Sequence, residues 1–140
     1  NGASIHLDNV SVEKSGSDGV SVLSSKRSTM KNCNVSHSFF SGLYVSAGGL
    51  MTIDGNATAI HHNGTCGQSS NYGLETDDSS SSIHLASSLN IETTVTNNGG
   101  GGNFGGDGTI AIVDNEGTII ETIQEATPED DSEDDSEGDY

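Results

Sequence analysis

The chain repeats one pattern at a spacing of 23 residues, and this spacing limits the possible folds more than any other feature. An apolar residue that opens a short polar turn occurs at Leu7, Met30 and Ile53, with 23 residues from each to the next. A related segment begins at Leu85. A unit of this length cannot bury its own apolar face, so successive units have to stack to form a core. The repeat therefore predicts a solenoid.

Each repeating unit has the pattern of β-strands. Apolar and polar residues alternate with a period of two, which is typical of strands that bury one face. Each unit holds three such segments, so we expect three strands per coil and about four coils. The inward residues expected in the first strands are Ile5 and Leu7, Ser28 and Met30, Met51 and Ile53, and Ile83 and Leu85. Those expected in the second strands are Val10 and Val12, Cys33 and Val35, Ala57 and Ala59, and Leu89 and Ile91. Those expected in the third strands are Val20 and Val22, Leu43 and Val45, Leu74 and Thr76, and Ile110 and Ile112.

The repeat resembles that of a known family in three details. They are the apolar–x–apolar pairs, the glycine before each third strand, and the turn residues Asp8-Asn9, Lys31-Asn32 and Asp54-Gly55. With these details, residues 4–113 resemble the right-handed parallel β-helix of the pectin-lyase-like superfamily, in its repeat-only form. The resemblance implies an all-β fold, namely a right-handed parallel β-helix (solenoid) of about four coils.

The resemblance does not supply a catalytic set. Lyases of this superfamily use acidic calcium ligands together with an Arg or Lys base, and its hydrolases use three clustered aspartates. The only arginine of the chain, Arg27, has no acidic cluster beside it, and the nearest match to the hydrolase pattern is Glu75 with Asp77 and Asp78. We therefore predict no catalytic residue and no cofactor, and the residues favour a non-catalytic role.

Charge divides the chain into a body and a tail. The net charge is −17, and eight of the acidic residues lie between positions 129 and 139. We expect β-helix coils over residues 1–117 and a disordered acidic tail over 128–140. Residues 118–127 fit either a terminal strand or a short capping helix, with Thr118 as N-cap. Such an acidic surface repels nucleic acid, and no run is apolar enough to insert into a membrane.

Equivalent positions of successive coils stack into rows on the outer surface. The three predicted outward rows are His6, Thr29, Thr52 and His84; Ser11, Asn34, Thr58 and Asn90; and Ser21, Tyr44, Glu75 and Ala111. Flat polar rows with one aromatic residue suit a polysaccharide that lies across the coils, and they suit simple solvation equally well. The candidate binding residues on these rows are Asn34, Tyr44, Glu75 and Asn90.

Two loops interrupt the coils. The first, residues 61–72, brings His61 and His62 close to Cys66, and imidazole and thiolate are ligands of zinc and copper. No second ligand pair follows, so we predict no metal, and the two histidines are kept as candidate binding residues. The second loop, residues 97–108, is rich in glycine and is expected to be a flexible turn. Cys33 is expected to be a small buried residue, and a disulfide with Cys66 is left open.

These observations give one leading functional expectation and one alternative. The leading expectation is a non-catalytic segment of a larger extracellular or cell-surface protein, which displays structure or binds a polysaccharide or another protein weakly. The alternative is part of a polysaccharide lyase, hydrolase or epimerase whose active site lies outside this chain. The absence of an N-terminal Met leads us to expect a piece of a longer solenoid.

Overall fold

A computed structural model describes residues 3–127, and these residues form a parallel β-solenoid of about four coils. The predicted all-β solenoid is confirmed. The described residues contain β1 His6–Asp8, β2 Ser11–Glu13, β3 Val20–Leu23, β4 Ser28–Lys31, β5 Asn34–Ser36, β6 Leu43–Ser46, β7 Leu50–Asp54, β8 Ala59–His61, β9 Tyr72–Thr76, β10 Ser82–Ala86, α1 Ile91–Thr94, β11 Val95–Thr96, β12 Gly102–Gly106, β13 Thr109–Val113 and β14 Ile119–Gln124. The predicted tail, residues 128–140, lies outside the described residues.

The strands form three sheets, one along each side of the coils. The first sheet has the order β1-β4-β7-β10-β13-β14, the second β11-β8-β5-β2, and the third β12-β9-β6-β3. Every pairing is parallel except that of β13 with β14. Each strand therefore pairs with the equivalent strand of the next coil, as stacking of repeats requires.

The first sheet confirms the repeat at the level of single residues. Leu7 pairs with Met30, Met30 with Ile53, and Ile53 with Leu85. Met30, Ile53 and Leu85 are fully buried, so this row is the centre of the apolar core. The outward row His6, Thr29, Thr52 and His84 is paired as predicted. The 23-residue spacing thus places both faces of the first three strands correctly, and the alternating pattern places those of the fourth, which lies 32 residues further on.

The corners of the coils are made by residues with left-handed backbone conformation. The corner after the second sheet uses the same position in four coils, namely Lys14, His37, His62 and Asn97, with φ values between 54° and 59°. The corner after the first sheet uses Asn9, Asn32 and Gly55 in the same way. Such values are uncommon outside glycine, and asparagine and histidine tolerate them better than most residues.

A column of asparagine side chains follows the corner after the second sheet, and of these Asn63 is buried and Asn98 is partly buried. The Asn63 side chain accepts a hydrogen bond from the Ser38 amide and donates to the Val35 carbonyl, both at 3.0 Å. In the next coil, Asn98 donates to the Ile60 carbonyl at 3.1 Å and accepts from the Asn63 side chain at 3.0 Å. These amides pair backbone groups that the bend removes from the ladder between strands, so the column holds the corner closed.

The second outward row is wrong beyond the second coil. Ser11 pairs with Asn34 as predicted, but Asn34 pairs with Ala59 rather than with Thr58. The turn after Asp54 is longer than its equivalents, and it is closed by a hydrogen bond from the Thr58 hydroxyl to the Asp54 carbonyl. Thr58 is buried as a result, and the predicted inward pair of Ala57 and Ala59 is wrong because Ile60 fills the core there.

The fourth coil departs further from the predicted row. Asn90 is the N-cap of α1, where its side chain accepts a hydrogen bond from the Glu92 amide at 3.1 Å. It therefore does not stand in line with Asn34. The helix inserts extra residues before β11, and Val95 is the residue that pairs with Ile60. The predicted inward assignment of Leu89 and Ile91 to a strand is wrong for the same reason.

Only the first part of the glycine-rich segment, residues 97–101, is a turn, and the part that follows is a strand. Gly102–Gly106 forms β12, which pairs with β9 and supplies the third strand of the fourth coil. Ile110 and Ile112, expected in that strand, instead pair with Ile83 and Leu85 in the first sheet. The prediction failed because glycine has no side chain to show an alternating pattern, although its backbone pairs like that of any other residue.

The end of the described chain turns back on the solenoid. Of the two alternatives for residues 118–127, the structure has a strand, β14, which runs antiparallel to β13. Ile123 packs against the core, and the Gln124 side chain donates to the carbonyls of Gly106 and Gly108, each at 3.0 Å. This segment covers the last coil. Cys33 is buried as predicted, and both cysteines are free.

Candidate functional site

The outer surface of the third sheet brings two predicted binding residues together. Ser21 pairs with Tyr44, and Tyr44 pairs with Glu75, so this part of the predicted row is confirmed. The fourth residue of this row is Gly105, which pairs with Glu75, and not the predicted Ala111. Ala111 lies in the first sheet beside His84. Tyr44 and Glu75 therefore lie on adjacent strands, β6 and β9, and point to the same side.

Next to this row, the corner before the third sheet supplies a serine, Ser41, whose hydroxyl and amide bind two acidic side chains. The Ser41 hydroxyl donates to Glu75 Oε1 at 2.5 Å, and the Ser41 amide donates to Asp18 Oδ1 at 2.9 Å. The same hydroxyl accepts a hydrogen bond from the Tyr72 amide at 2.9 Å. Ser41 is buried, so its contacts hold both carboxyl groups in fixed positions.

The three corner residues form a row of their own. Asp18, Ser41 and Tyr72 each come directly before a glycine at the start of the third sheet's strands. The Asp18 side chain accepts a hydrogen bond from the Ser41 amide, and the Ser41 side chain accepts one from the Tyr72 amide. A Cβ atom on Gly42, one of these glycines, would lie 2.8 Å from the Gly73 carbonyl oxygen. The glycines are therefore required by close packing of successive coils, which brings the preceding side chains into contact.

Burial raises the pKa of both carboxyl groups. For Glu75, partial burial raises the pKa first, and the nearby carboxylates of Asp18 and Asp77 raise it further against the opposing effect of the Ser41 hydrogen bond. For Asp18, burial raises the pKa against the hydrogen bond from Ser41. These groups are thus more easily protonated than ordinary surface carboxyls.

Tyr44 has an acidic neighbour of its own. Its pKa is raised by burial, by the charge of Asp77, and by the hydrogen bond between its hydroxyl and that carboxylate. Asp77 is exposed at the end of β9, so its carboxylate reaches solvent beside the tyrosine ring. The phenol is kept neutral, and it remains available as an aromatic surface with a polar edge.

The Tyr72 ring lies on the glycine-rich strand. A Cβ atom added at Gly105 would be 2.1 Å from the ring, and one at Gly101 would be 2.3 Å from it. Only a residue without a side chain leaves room for the ring at these two positions. The strands that carry Tyr44 and Gly105 are two spacings apart, about 10 Å. We call Asp18, Ser41, Tyr44, Tyr72, Glu75 and Asp77 the tyrosine face.

A second group of polar side chains lies at the corner after the second sheet. His61 Nε2 donates to Asn34 Oδ1 at 3.0 Å, which leaves His61 Nδ1 to accept from His62 Nδ1 at 2.7 Å. The His37 ring stacks on the His62 ring with centroids 5.2 Å apart. Burial lowers the pKa of His61, and the neighbouring His62 and His37 lower it further. We call these four residues the histidine corner.

The candidate residues thus separate into two groups and one isolated residue. Tyr44 and Glu75 belong to the tyrosine face, Asn34, His61 and His62 to the histidine corner, and Asn90 to the cap of α1. The sequence analysis missed several residues that complete the two groups. They are Asp18, Ser41, Tyr72 and His37, whereas Asp77 was noted in the sequence only as part of the nearest match to the hydrolase pattern. A signal existed for two of them, because Asp18 and Ser41 are 23 residues apart.

Comparisons with known proteins give no family and no relative. No family model, no curated protein and no solved structure matches the chain. Within residues 3–127, no set of three or more His, Cys, Asp or Glu side chains is arranged to hold a metal ion. In the same residues, no helix combines the length and the apolar character needed to cross a membrane.

Proposed function

We propose that this chain is a non-catalytic binding segment of an extracellular or cell-surface protein, and that the tyrosine face binds a polysaccharide. The observation that carries the proposal is the order of groups along the third sheet. Tyr44, the Glu75 carboxyl and the Tyr72 ring follow one another across three adjacent strands. The proposal also places the chain in the pectin-lyase-like superfamily, whose repeat it resembles.

The chemistry of a sugar chain fits this order. One side of a pyranose ring carries C–H groups that pack on an aromatic ring, and its edge carries hydroxyls that need polar partners. Tyr44 and Tyr72 supply aromatic surfaces at two points, and Glu75 and Asp77 supply acceptors between and beside them. Ser41 holds Glu75 in place, so little side-chain entropy is lost when a ligand binds.

The overall charge restricts which polysaccharide is suitable. The chain carries a net charge of −17, and the tyrosine face itself contains three carboxyl groups. Polyuronates and sulfated chains would be repelled by these charges. The proposal is therefore specific to a neutral polysaccharide.

A glycan array with the full chain tests this proposal, run once with calcium and once with a chelator. We expect saturable binding to a neutral polysaccharide in both buffers. Tyr44→Ala and Tyr72→Ala should each remove an aromatic contact of about 1 kcal/mol, a loss of roughly fivefold in affinity. Phe39→Ala is the matched control, because Phe39 is an aromatic residue 46% exposed outside the face. Absence of binding, or equal losses in all three variants, would overturn the proposal.

One observation favours the enzymatic alternative. Asp18 and Glu75 converge on Ser41, and both have a raised pKa, as a general acid requires. A polysaccharide hydrolase would release reducing ends from the polysaccharide that binds. Glu75→Gln would then abolish release and preserve binding. Binding without release in the unmodified chain would leave the non-catalytic proposal standing.

A further inference from the structure

The two adjacent histidines of the histidine corner, His61 and His62, face each other. This arrangement is unusual, because neighbouring residues of a strand point to opposite faces of the sheet, and His61 is the last residue of β8. His62 forms the corner and has a left-handed backbone conformation, with a φ of 57°. This turn of the backbone brings the His62 ring beside the His61 ring, and their Nδ1 atoms lie 2.7 Å apart.

The distance between these two nitrogens matches the separation of two ligands on one metal ion. An imidazole nitrogen lies about 2.0 Å from a bound zinc ion, and two such ligands at right angles around an ion of this size are about 2.8 Å apart. The hydrogen bond between the rings uses one proton, on His62 Nδ1. A neutral imidazole can carry that proton on Nε2 instead, and His62 is exposed, so water can accept it there. Both Nδ1 lone pairs are then available to a metal ion.

Asn34 holds His61 in the form that binds metal. Asn34 Oδ1 accepts the proton of His61 Nε2 at 3.0 Å, so the lone pair of this ring is on Nδ1. Histidines that bind metal almost always have such a partner at the other ring nitrogen, which fixes the tautomer and the orientation of the ring. Burial and the neighbouring histidines lower the pKa of His61, so its ring is neutral at pH 7 and loses no proton to a metal ion. The charge of the Glu13 carboxylate also acts on His61 and favours a cation at this position.

The number of ligands at the corner restricts which metal is suitable. Cys66 is engaged elsewhere, because its thiol donates to Asn71 Oδ1 at 3.2 Å, and among residues 3–127 no third His, Cys, Asp or Glu completes a set. Two histidines are fewer than the four protein ligands of a structural zinc site, and calcium and magnesium require oxygen ligands. Copper(II) binds nitrogen ligands most strongly among the divalent first-row metals, and it accepts a square arrangement of nitrogen and oxygen. Two imidazoles and water supply such an arrangement.

We propose that His61 Nδ1 and His62 Nδ1 bind one copper(II) ion, with water in its remaining positions. The two rings already form a hydrogen bond without the ion, so the metal is not needed for folding and binds reversibly. The site revises the sequence-based prediction of no metal, because the corner conformation that brings the rings together is not visible in the sequence. It lies apart from the tyrosine face and does not depend on the proposed binding of a polysaccharide.

Titration of the metal-free full chain with copper(II) chloride at pH 7 tests the proposal, followed by calorimetry and by electron paramagnetic resonance. We expect one ion bound by two imidazoles, which pulsed measurements detect through the remote nitrogen of each ring. The acidic residues between positions 129 and 139 offer only carboxylates, so copper bound there would have oxygen ligands. A first bound ion with oxygen ligands alone, or with a single imidazole, would overturn the proposal.

Substitutions separate this site from copper binding by histidines in general. His61→Gln and His62→Gln each leave one imidazole, and loss of the second, intramolecular ligand should weaken binding roughly hundredfold. His84→Gln is the matched control, because His84 is a half-buried histidine on the first sheet, and this variant should bind like the unmodified chain. Equal affinities of the three variants would contradict the proposal. Circular dichroism checks that each variant is folded, and the resonance spectrum of the unmodified chain decides the question without any variant.

The positioning role of Asn34 has a test of its own. Asn34→Ala removes the acceptor at His61 Nε2 and should weaken copper binding about tenfold. Asn34→Asp keeps an oxygen acceptor there and should bind at least as tightly as the unmodified chain. If the two variants bound copper equally well, the tautomer of His61 would not matter, and the assigned geometry would be wrong.

Discussion

Asn63 gives the sharpest test of how the corners are held. Its side chain is almost fully buried, and it makes three hydrogen bonds, to the Ser38 amide, the Val35 carbonyl and the Asn98 side chain. Asn63→Ala removes all three at once. Asn98 Oδ1 keeps the bond from the Asn63 amide, so the two backbone groups of the second coil are the ones left without partners.

The expected loss follows from these two groups. A buried donor or acceptor left unpaired costs about 1–3 kcal/mol, so the substitution should lower the free energy of unfolding by about 4 kcal/mol. A domain of this size has a stability of about 5–15 kcal/mol, so the variant should fold but be much less stable. With a slope of about 2 kcal/mol per molar urea, the midpoint of unfolding should fall by about 2 M.

Urea unfolding followed by far-ultraviolet circular dichroism measures this loss. Asn56→Ala is the control, because Asn56 is exposed in a turn and its removal should change the stability by less than about 0.5 kcal/mol. A cavity lined by His37, His62 and Asn63 lies beside the corner. If water from this cavity replaced the amide, the loss would fall below about 1 kcal/mol, and the role assigned to the column would be refuted.

Three further predictions concern the two candidate groups. In calorimetry, Gly105→Ala should weaken polysaccharide binding as much as Tyr72→Ala, because the new Cβ displaces the Tyr72 ring. Gly16→Ala is the control and should bind normally, because the space around its Cβ is open. Glu75→Gln should be more stable than the unmodified chain in urea at neutral pH, because the raised pKa of Glu75 makes its ionisation costly in the folded state. The difference in stability should vanish well below pH 4.5, where the carboxyl group is protonated in both states. Because the pKa of His61 is lowered in the folded state, the free energy of unfolding should fall as the pH drops through 6.5. His61→Gln should reduce that fall, as measured by urea titrations at pH 7 and pH 5.

The sequence predicts the fold wherever the coils keep one length. His6 pairs with Thr29 at the 23-residue spacing, and the same spacing correctly placed Tyr44 beside Ser21. The prediction fails where a turn changes length, as after Asp54 or at α1, since an inserted residue moves every later position out of its row. Alternation inside a strand cannot reveal such a shift, because the pattern repeats every two residues.

The site was predicted less completely because its residues come from corners as well as strands. Tyr44 and Glu75 stand on a strand row, which a period of two identifies. Ser41 lies just before β6 and Tyr72 begins β9, and their contact depends on how closely the coils approach at the glycines. The aromatic surface of Tyr72 depends in turn on Gly105, a residue with no pattern of its own. These relations appear only when the coils are stacked.

Ser41 links the stacking of the coils to the geometry of the tyrosine face. Its hydroxyl accepts the Tyr72 amide of the third coil and donates to Glu75, while its amide is bound by Asp18 of the first coil. The residue that joins three coils is therefore the one that positions the carboxyl group of the tyrosine face. The Tyr72 amide fixes the Ser41 hydroxyl, and that hydroxyl fixes Glu75, so a ligand of the tyrosine face would meet a carboxyl group already in position. For this reason we expect the proposed binding to depend on the corner row of Asp18, Ser41 and Tyr72 as well as on the strand row of Tyr44 and Glu75.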